Sequence, residues 1–214
     1  MGPGLPILAC AMAVAGQLVA ERRSSQRGKW IAKPLASSAF VATALAAGAF
    51  DGTYGRWILL GLVLSLAGDV LLIPTTRPNV FRAGVFAFLL GHVAFIAAFL
   101  TQPLDAATLV VAAVVIAMLL LVVWRALAGS IPVDMKGPVV AYFAVIGTMA
   151  VLACAVTGAG GPTTVALGAL AFTASDVAVA RDRFVRHEYF NRAWGLPLYY
   201  GAQILLALTT AVLR

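Results

Sequence analysis

The chain has 214 residues, of which 62% are hydrophobic and only 11% charged, with a mean hydropathy of +0.98. Those values exclude an ordinary soluble domain and mark an integral membrane protein. The formal charge of +7 would point to nucleic acid in a soluble chain, but the cations sit in short loops between apolar runs, where membrane topology accounts for them and no nucleic-acid partner is implied.

Apolar windows of about 18 to 20 residues, separated by charged or Pro/Gly breaks, predict eight membrane helices at roughly 3–20, 32–50, 56–73, 82–100, 107–126, 138–157, 163–180 and 195–213. The connections leave no room for a soluble domain. The expected architecture is therefore a single all-α domain over 1–214, a polytopic membrane bundle of eight transmembrane helices. In the first span no basic residue precedes the apolar core and Arg22 and Arg23 follow it, the pattern of an uncleaved helix rather than a secretory leader. Cys10 and Cys154 both lie in apolar runs, as packing residues do, which implies neither a disulfide framework nor a zinc cluster.

Counting Lys and Arg by side gives an orientation. Thirteen of the 15 cations follow the odd-numbered spans, from Arg22, Arg23, Arg27, Lys29 and Lys33 after the first to Arg181, Arg183, Arg186 and Arg192 after the seventh. Only Arg56 and Arg214 stand on the other side. The positive-inside rule puts the basic loops in the cytoplasm and both termini outside, as in a multi-pass protein of a bacterial cell membrane.

With that orientation the buried polar residues are placed by depth. Lys33 opens the second span ahead of Pro34, a residue suited to a first helical turn. Gly68-Asp69 comes near the end of the third span, about one turn before Pro74. The fourth rises from Arg82 to Gly91-His92, and the sixth carries Tyr142 one turn above Pro138. The seventh delivers Ser175-Asp176 five residues before Arg181, and the eighth rises through Tyr199, Tyr200 and Gln203. This set is expected to converge on a cavity that opens inward. A weak internal symmetry runs through it: Lys33-Pro34 is echoed by Lys136-Gly137-Pro138 and Gly68-Asp69 by Ser175-Asp176, while Asp69 to His92 and Asp176 to Tyr199 are both 23 positions. Two parallel four-helix halves, with the site between them, would produce that pattern.

An ionisable side chain inside a span is costly and usually functional, so Asp69 and Asp176 lead the candidates. The structural alternative is an ion pair with Lys33 or an arginine. His92 joins them, against the alternative of a simple bond to a backbone carbonyl; His187, in the charged loop, reads as solvated. Tyr142, Tyr199 and Tyr200 fit either a pocket wall or an interfacial aromatic belt, and Gln203, one turn beyond Tyr199, favours the pocket. Lys33 and Arg82 stand where topology or a lipid phosphate would equally place a cation.

One buried histidine among two makes neither a three-histidine zinc site nor bis-histidine haem ligation, an Asp/Asp/His metal site is not indicated, and no cofactor is called for. There is no phosphate-cradling glycine loop and no Gly-x-Ser-x-Gly elbow. What remains is acid-base equipment around a lipid-accessible pocket.

Lys33-Pro34-Leu35, Gly68-Asp69-Val70-Leu71-Leu72, Gly91-His92, Pro138-Val139-Val140-Ala141-Tyr142, Ser175-Asp176 and Tyr199-Tyr200-Gly201-Ala202-Gln203, in this order on eight spans, resemble the lysoplasmalogenase (YhhN-like) membrane family. The resemblance covers essentially the whole chain, with the conservative departure of Val177-Ala178 where many relatives carry Leu-Ala. It implies hydrolysis of the vinyl-ether bond of a lysophospholipid substrate, a lysoplasmalogen, within the bilayer, releasing a fatty aldehyde. Such a reaction needs an acid for the β-carbon and an anion near the resulting oxocarbenium ion, the division of labour that glycosidases give to two carboxylates. Asp69 and Asp176 would share these roles, with Asp176 favoured as acid and His92 as relay or water ligand. The tyrosines and Gln203 would line the pocket, and Lys33 and Arg82 would hold the phosphate. A proton-coupled transporter using an Asp/His relay is the rival reading and a lipid-binding scaffold a third, and no residue points to a particular oligomer.

Overall fold

The structure, a computed structural model, describes residues 2–73 and 77–214. Eight helices follow one another: α1 (Gly4–Arg22), α2 (Gln26–Ala46), α3 (Thr53–Leu71), α4 (Pro78–Leu100), α5 (Ala106–Leu127), α6 (Val133–Gly158), α7 (Thr163–Phe184) and α8 (Tyr189–Thr209). Each lies on one of the eight apolar runs, but several run well past it. The starts of α2, α6 and α8 precede the expected ones, and α7 continues beyond 180 to Phe184. Hydropathy stops at the first charge, whereas a helix continues wherever its polar side chains reach water or a partner at the membrane edge. Pro34 and Pro138, expected in first turns, are therefore interior to α2 and α6, and Pro197 is interior to α8. Each removes one backbone hydrogen bond and leaves the carbonyl four residues earlier without its usual donor. The start of α2 is set instead by Ser25, whose hydroxyl accepts the Gly28 N–H at 3.2 Å. Pro74, read as the stop of the third span, lies outside the described residues.

Six helices, α1 and α3 to α7, are long and apolar enough to cross a membrane. The other two, α2 and α8, are the more polar ones, and each is two-sided. Ile31, Leu35 and Leu45 of α2 and Phe190 of α8 face outward, while Ser37 and Thr43, and Tyr199, Tyr200 and Gln203, are buried. The polar face of one helix meets that of the other: α8 packs on α2 and also on α1, α3 and α7. By contrast α5 is peripheral, burying only Ala112, Ile116 and Leu127.

The neighbour pattern repeats. The pairs α1–α2, α2–α3 and α3–α4 are matched by α5–α6, α6–α7 and α7–α8, and the two sets meet through α4–α6 and α2–α8. The packing of α8 on α1 has no counterpart of α4 on α5 among the described residues.

The basic segments gather at one end of the bundle. There Lys29 pairs with Glu21 at 2.9 Å, Arg192 bridges Glu21 and Asp182, and Gln26 donates to the Ile73 carbonyl at 3.1 Å. The Arg183 guanidinium lies 4.5 Å over the Phe81 ring, so α1, α2, α4, α7, α8 and the end of α3 are clasped together. At the other end Asp105 caps α5, accepting from the Thr108 hydroxyl at 2.6 Å and its N–H at 2.7 Å. These two bonds hold its carboxyl below the usual carboxylate range.

Candidate functional site

Asp69 lies near the C-terminal end of α3 and is buried. Its Oδ1 pairs with the Lys33 ammonium at 3.1 Å, and its Oδ2 accepts from the Tyr199 hydroxyl at 2.7 Å and the Ser37 hydroxyl at 2.6 Å. Ser37 also approaches the Lys33 carbonyl at 3.0 Å; with one proton to give, it favours the shorter bond to the charged acceptor. Every group around Asp69 is a donor, the arrangement of an ionised carboxylate. Lys33 does a second job, donating to the Asp69 backbone carbonyl at 3.1 Å. That carbonyl belongs to the last turn of α3, where acceptors lack helical partners and a cation suits the helix dipole. Gly68 lets α4 come close: a Cβ there would stand 2.6 Å from the Phe88 ring.

Asp176 lies on α7, eight residues before Phe184, about 12 Å above the helix end at 1.5 Å per residue. Its Oδ2 is 3.2 Å from His92 Nε2 and 3.3 Å from the Tyr142 hydroxyl, which donates to it. His92 is fully buried and its Nδ1 lies 2.7 Å from the Phe88 carbonyl. A carbonyl only accepts, so Nδ1 carries a hydrogen and Nε2 is the nitrogen left to face Asp176. Between a bare Nε2 and a bare carboxylate there would be two acceptors and no proton. The pair is satisfied by one proton, held as carboxylic acid plus neutral imidazole or as carboxylate plus imidazolium. The Nε2 to Oδ2 approach is bent away from a linear hydrogen bond, a slack common in catalytic pairs without substrate.

The two clusters are neighbours with an aromatic partition between them. The Phe172 ring is 4.4 Å from His92 on one side and 5.3 Å from Tyr199 on the other, and Phe88 lies 5.8 Å from Tyr199. Among the described residues no hydrogen bond or ion pair joins Asp69 to Asp176, and the polar set expected around one cavity is divided into two clusters. Tyr200 and Gln203 are buried beside the Asp69 cluster. Arg82 is exposed in the first turns of α4, and His187 is largely exposed, 3.1 Å from Asp182. Two cavities lie elsewhere: one of about 190 Å³ at the basic end, lined by Glu21, Arg22, His187 and Arg192 among others, and an apolar one of about 340 Å³ between α5 and α6.

Four participants were not singled out from sequence. Ser37 stands one turn after Lys33, a spacing that puts both on one helix face. Gln17 is a lone amide in the apolar α1 and is fully buried. Phe172 and Phe88 carried no signal, since aromatics in an apolar run read as packing.

With this geometry in view, similarity to other proteins adds a name to the pattern. The YhhN family pattern matches residues 28–210, a span that holds both carboxylates and all their partners. The chain is 31% identical over 160 residues to a protein of Homo sapiens named lysoplasmalogenase TMEM86A, covering 73% of this chain and 66% of that protein. It is 33% identical over 185 residues to proteins named lysoplasmalogenase from Mycobacterium bovis and Mycobacterium tuberculosis, covering 80% of this chain and 67% of each. The match thus spans just under two thirds of the human relative's length. No solved structure matches the chain at a significant level. From a match over most of its length, on the helices that carry the two polar clusters, the chain belongs to the YhhN family.

Proposed function

We propose that this protein hydrolyses the vinyl-ether bond of a lysoplasmalogen, with the Asp176–His92 pair as acid and then base. The observation that carries the reading is His92 Nε2 set 3.2 Å from Asp176 Oδ2, next to a second carboxylate surrounded only by donors. The names of the relatives supply the substrate class.

The chemistry follows from the geometry. Asp176 delivers its proton to the β-carbon of the enol ether, whose π electrons form the new C–H bond and leave an oxocarbenium ion at the α-carbon. The pair, now short of a proton, sets two acceptors face to face, so it recovers one from the water whose oxygen bonds to the α-carbon. The hemiacetal then collapses. Its C–O bond to glycerol breaks, its hydroxyl proton passes by way of the pair to the departing oxygen, and fatty aldehyde and glycerophospho-alcohol leave. Switching one carboxyl from acid to base is the economy that retaining glycosidases use. The cation forms on the His92 side of Phe172, with Tyr199 behind that ring, and aromatic π-systems stabilise such a charge. Tyr199 is in turn hydrogen-bonded to the ionised Asp69, which adds negative charge behind the ring.

Lys33, committed to Asp69, keeps that carboxylate charged, and Arg82, exposed at the basic end, takes the lipid phosphate. That end faces the cytoplasm in this reading. The test is release of aldehyde from a lysoplasmalogen by the purified chain in detergent micelles. Aldehyde formation that disappears in Asp176→Asn supports the hydrolase; no aldehyde from the folded wild type ends it and turns attention to a carrier, which would need sealed vesicles and a gradient.

A further inference from the structure

Seven buried side-chain atoms in the described residues have no protein hydrogen-bond partner, and five belong to Gln17, Tyr200 and Gln203. Gln17 and Gln203 are fully buried and Tyr200 is 2% exposed. Leaving one such group unsatisfied is costly, so three together beside an ion pair are a marked feature. They are also neighbours of the site. The Tyr200 hydroxyl stands near Ser37 and Gln17, and Gln203 near the Tyr199 hydroxyl, approaches that fall short of hydrogen-bond geometry; Ser37 and Tyr199 are the two hydroxyl donors to Asp69.

The feature has a direction. Gln17 and Glu21 are one turn apart on α1, and Glu21 is bound to Arg192 of α8 at the cavity of about 190 Å³ on the basic surface. Helices α1 and α8 pack along one another, so polar groups succeed each other up their seam: Glu21 with Arg192, then Gln17, then the Tyr200 hydroxyl, then Ser37 and Asp69. Each amide offers both a donor and an acceptor, and a hydroxyl offers both as well, which is the demand that water meets and a lipid chain does not.

We propose that Gln17, Tyr200 and Gln203 hold enclosed water along the α1–α8 seam, and that this water, passing from the Asp69 cluster beside Tyr199 and Phe172 to the Asp176–His92 pair that takes its proton, is the one consumed in hydrolysis. The second half rests on the hydrolase reading above; the first does not. In it Gln17 is a positioning residue. It touches neither lipid nor the proton-donating pair and acts through the water it holds. The water would arrive from the aqueous side while the lipid enters from the bilayer, so neither has to displace the other.

Radiolytic hydroxyl labelling of the full chain in micelles tests the site, because radicals generated from resident water mark the side chains that hold it. Tyr54 is the dry control, fully buried with its hydroxyl 2.8 Å from Thr209. Tyr200 should label well above Tyr54 and drop towards it in Gln17→Leu, which replaces an amide with an apolar group in an apolar helix. Equal labelling of Tyr200 and Tyr54 in the wild type overturns the proposal, whether or not aldehyde is made. For the reaction, Gln17→Leu and Tyr200→Phe should each lower kcat about tenfold with KM little changed, and the double variant should lose less than the product of the two, since they hold the same water. Unchanged kcat in both variants, with Tyr200 labelled, overturns the assignment of this water to catalysis. Absence of aldehyde from the wild type sinks the hydrolase reading alone and leaves the labelling result standing.

Discussion

His92 turns toward Asp176 the one ring nitrogen that its own helix leaves free: Nδ1 is held 2.7 Å from the Phe88 carbonyl and Nε2 stands 3.2 Å from the carboxylate. One proton therefore serves both groups. Replacing Asp176 by Asn removes an acid while keeping the shape, and should lower kcat by about 10² to 10⁴ with unfolding in detergent little changed. His92→Gln should give a loss of the same order, because the amide does not accept and return a proton. Near wild-type aldehyde release from either variant would remove the pair from the mechanism.

Lys33 and Asp69 behave as a unit. Lys33→Met leaves a buried carboxylate without its cation and should destabilise the fold by about 3–5 kcal/mol. Adding Asp69→Asn to Lys33→Met should recover most of that loss, since no buried charge remains, yet leave the protein inactive. Thermal unfolding of the two single variants and the double one, alongside the aldehyde assay, separates the structural part of Lys33 from its part in catalysis. Full activity in the double variant would mean that Asp69 has none.

Two glycines make a matched pair. A Cβ at Gly68 meets the Phe88 ring at 2.6 Å, whereas one at Gly137 has nothing within 4 Å. Gly68→Ala should cost about 1–3 kcal/mol through overpacking and reduce turnover, because Phe88 supplies the carbonyl that orients His92. Gly137→Ala, inside a helix, should leave turnover alone and raise stability by about 0.4–1 kcal/mol. The comparison is read from melting temperature and initial rate.

At the opposite end, Asp105 offers a pH test away from the site. Its carboxyl is held low by the Thr108 hydroxyl first and the Thr108 N–H second, so its contribution is complete above the ordinary carboxylate range and is lost as pH falls through the lowered value. Asp105→Ala should melt below wild type at neutral pH, and the gap should close in strong acid. Asp105→Asn, which still accepts, should keep part of the cap.

The eight helices and the two carboxylates were legible in the sequence because both rest on strong signals: long apolar runs, and charges where charges are expensive. The helix starts were not. Pro34 and Pro138 look like first-turn residues only if Gln26 to Ala32 and Val133 to Gly137 are taken as loop, and those segments are helical because their polar groups reach the membrane edge or the clasp around Glu21 and Arg192. The division of the site into two clusters was also hidden. It depends on Phe172 and Phe88, whose position in the interior is a matter of helix rotation that an all-apolar stretch does not record.

The polar character of α2 and α8 has a consequence for how the protein is made. The segment with Lys33 and Ser37 emerges from the ribosome some 160 residues ahead of Tyr199, so during synthesis its buried face has no matching helix to lie against. Until α8 arrives, that face must be sheltered by the insertion machinery or by α1 and α3. Closure of the polar face of α2 then waits on α8.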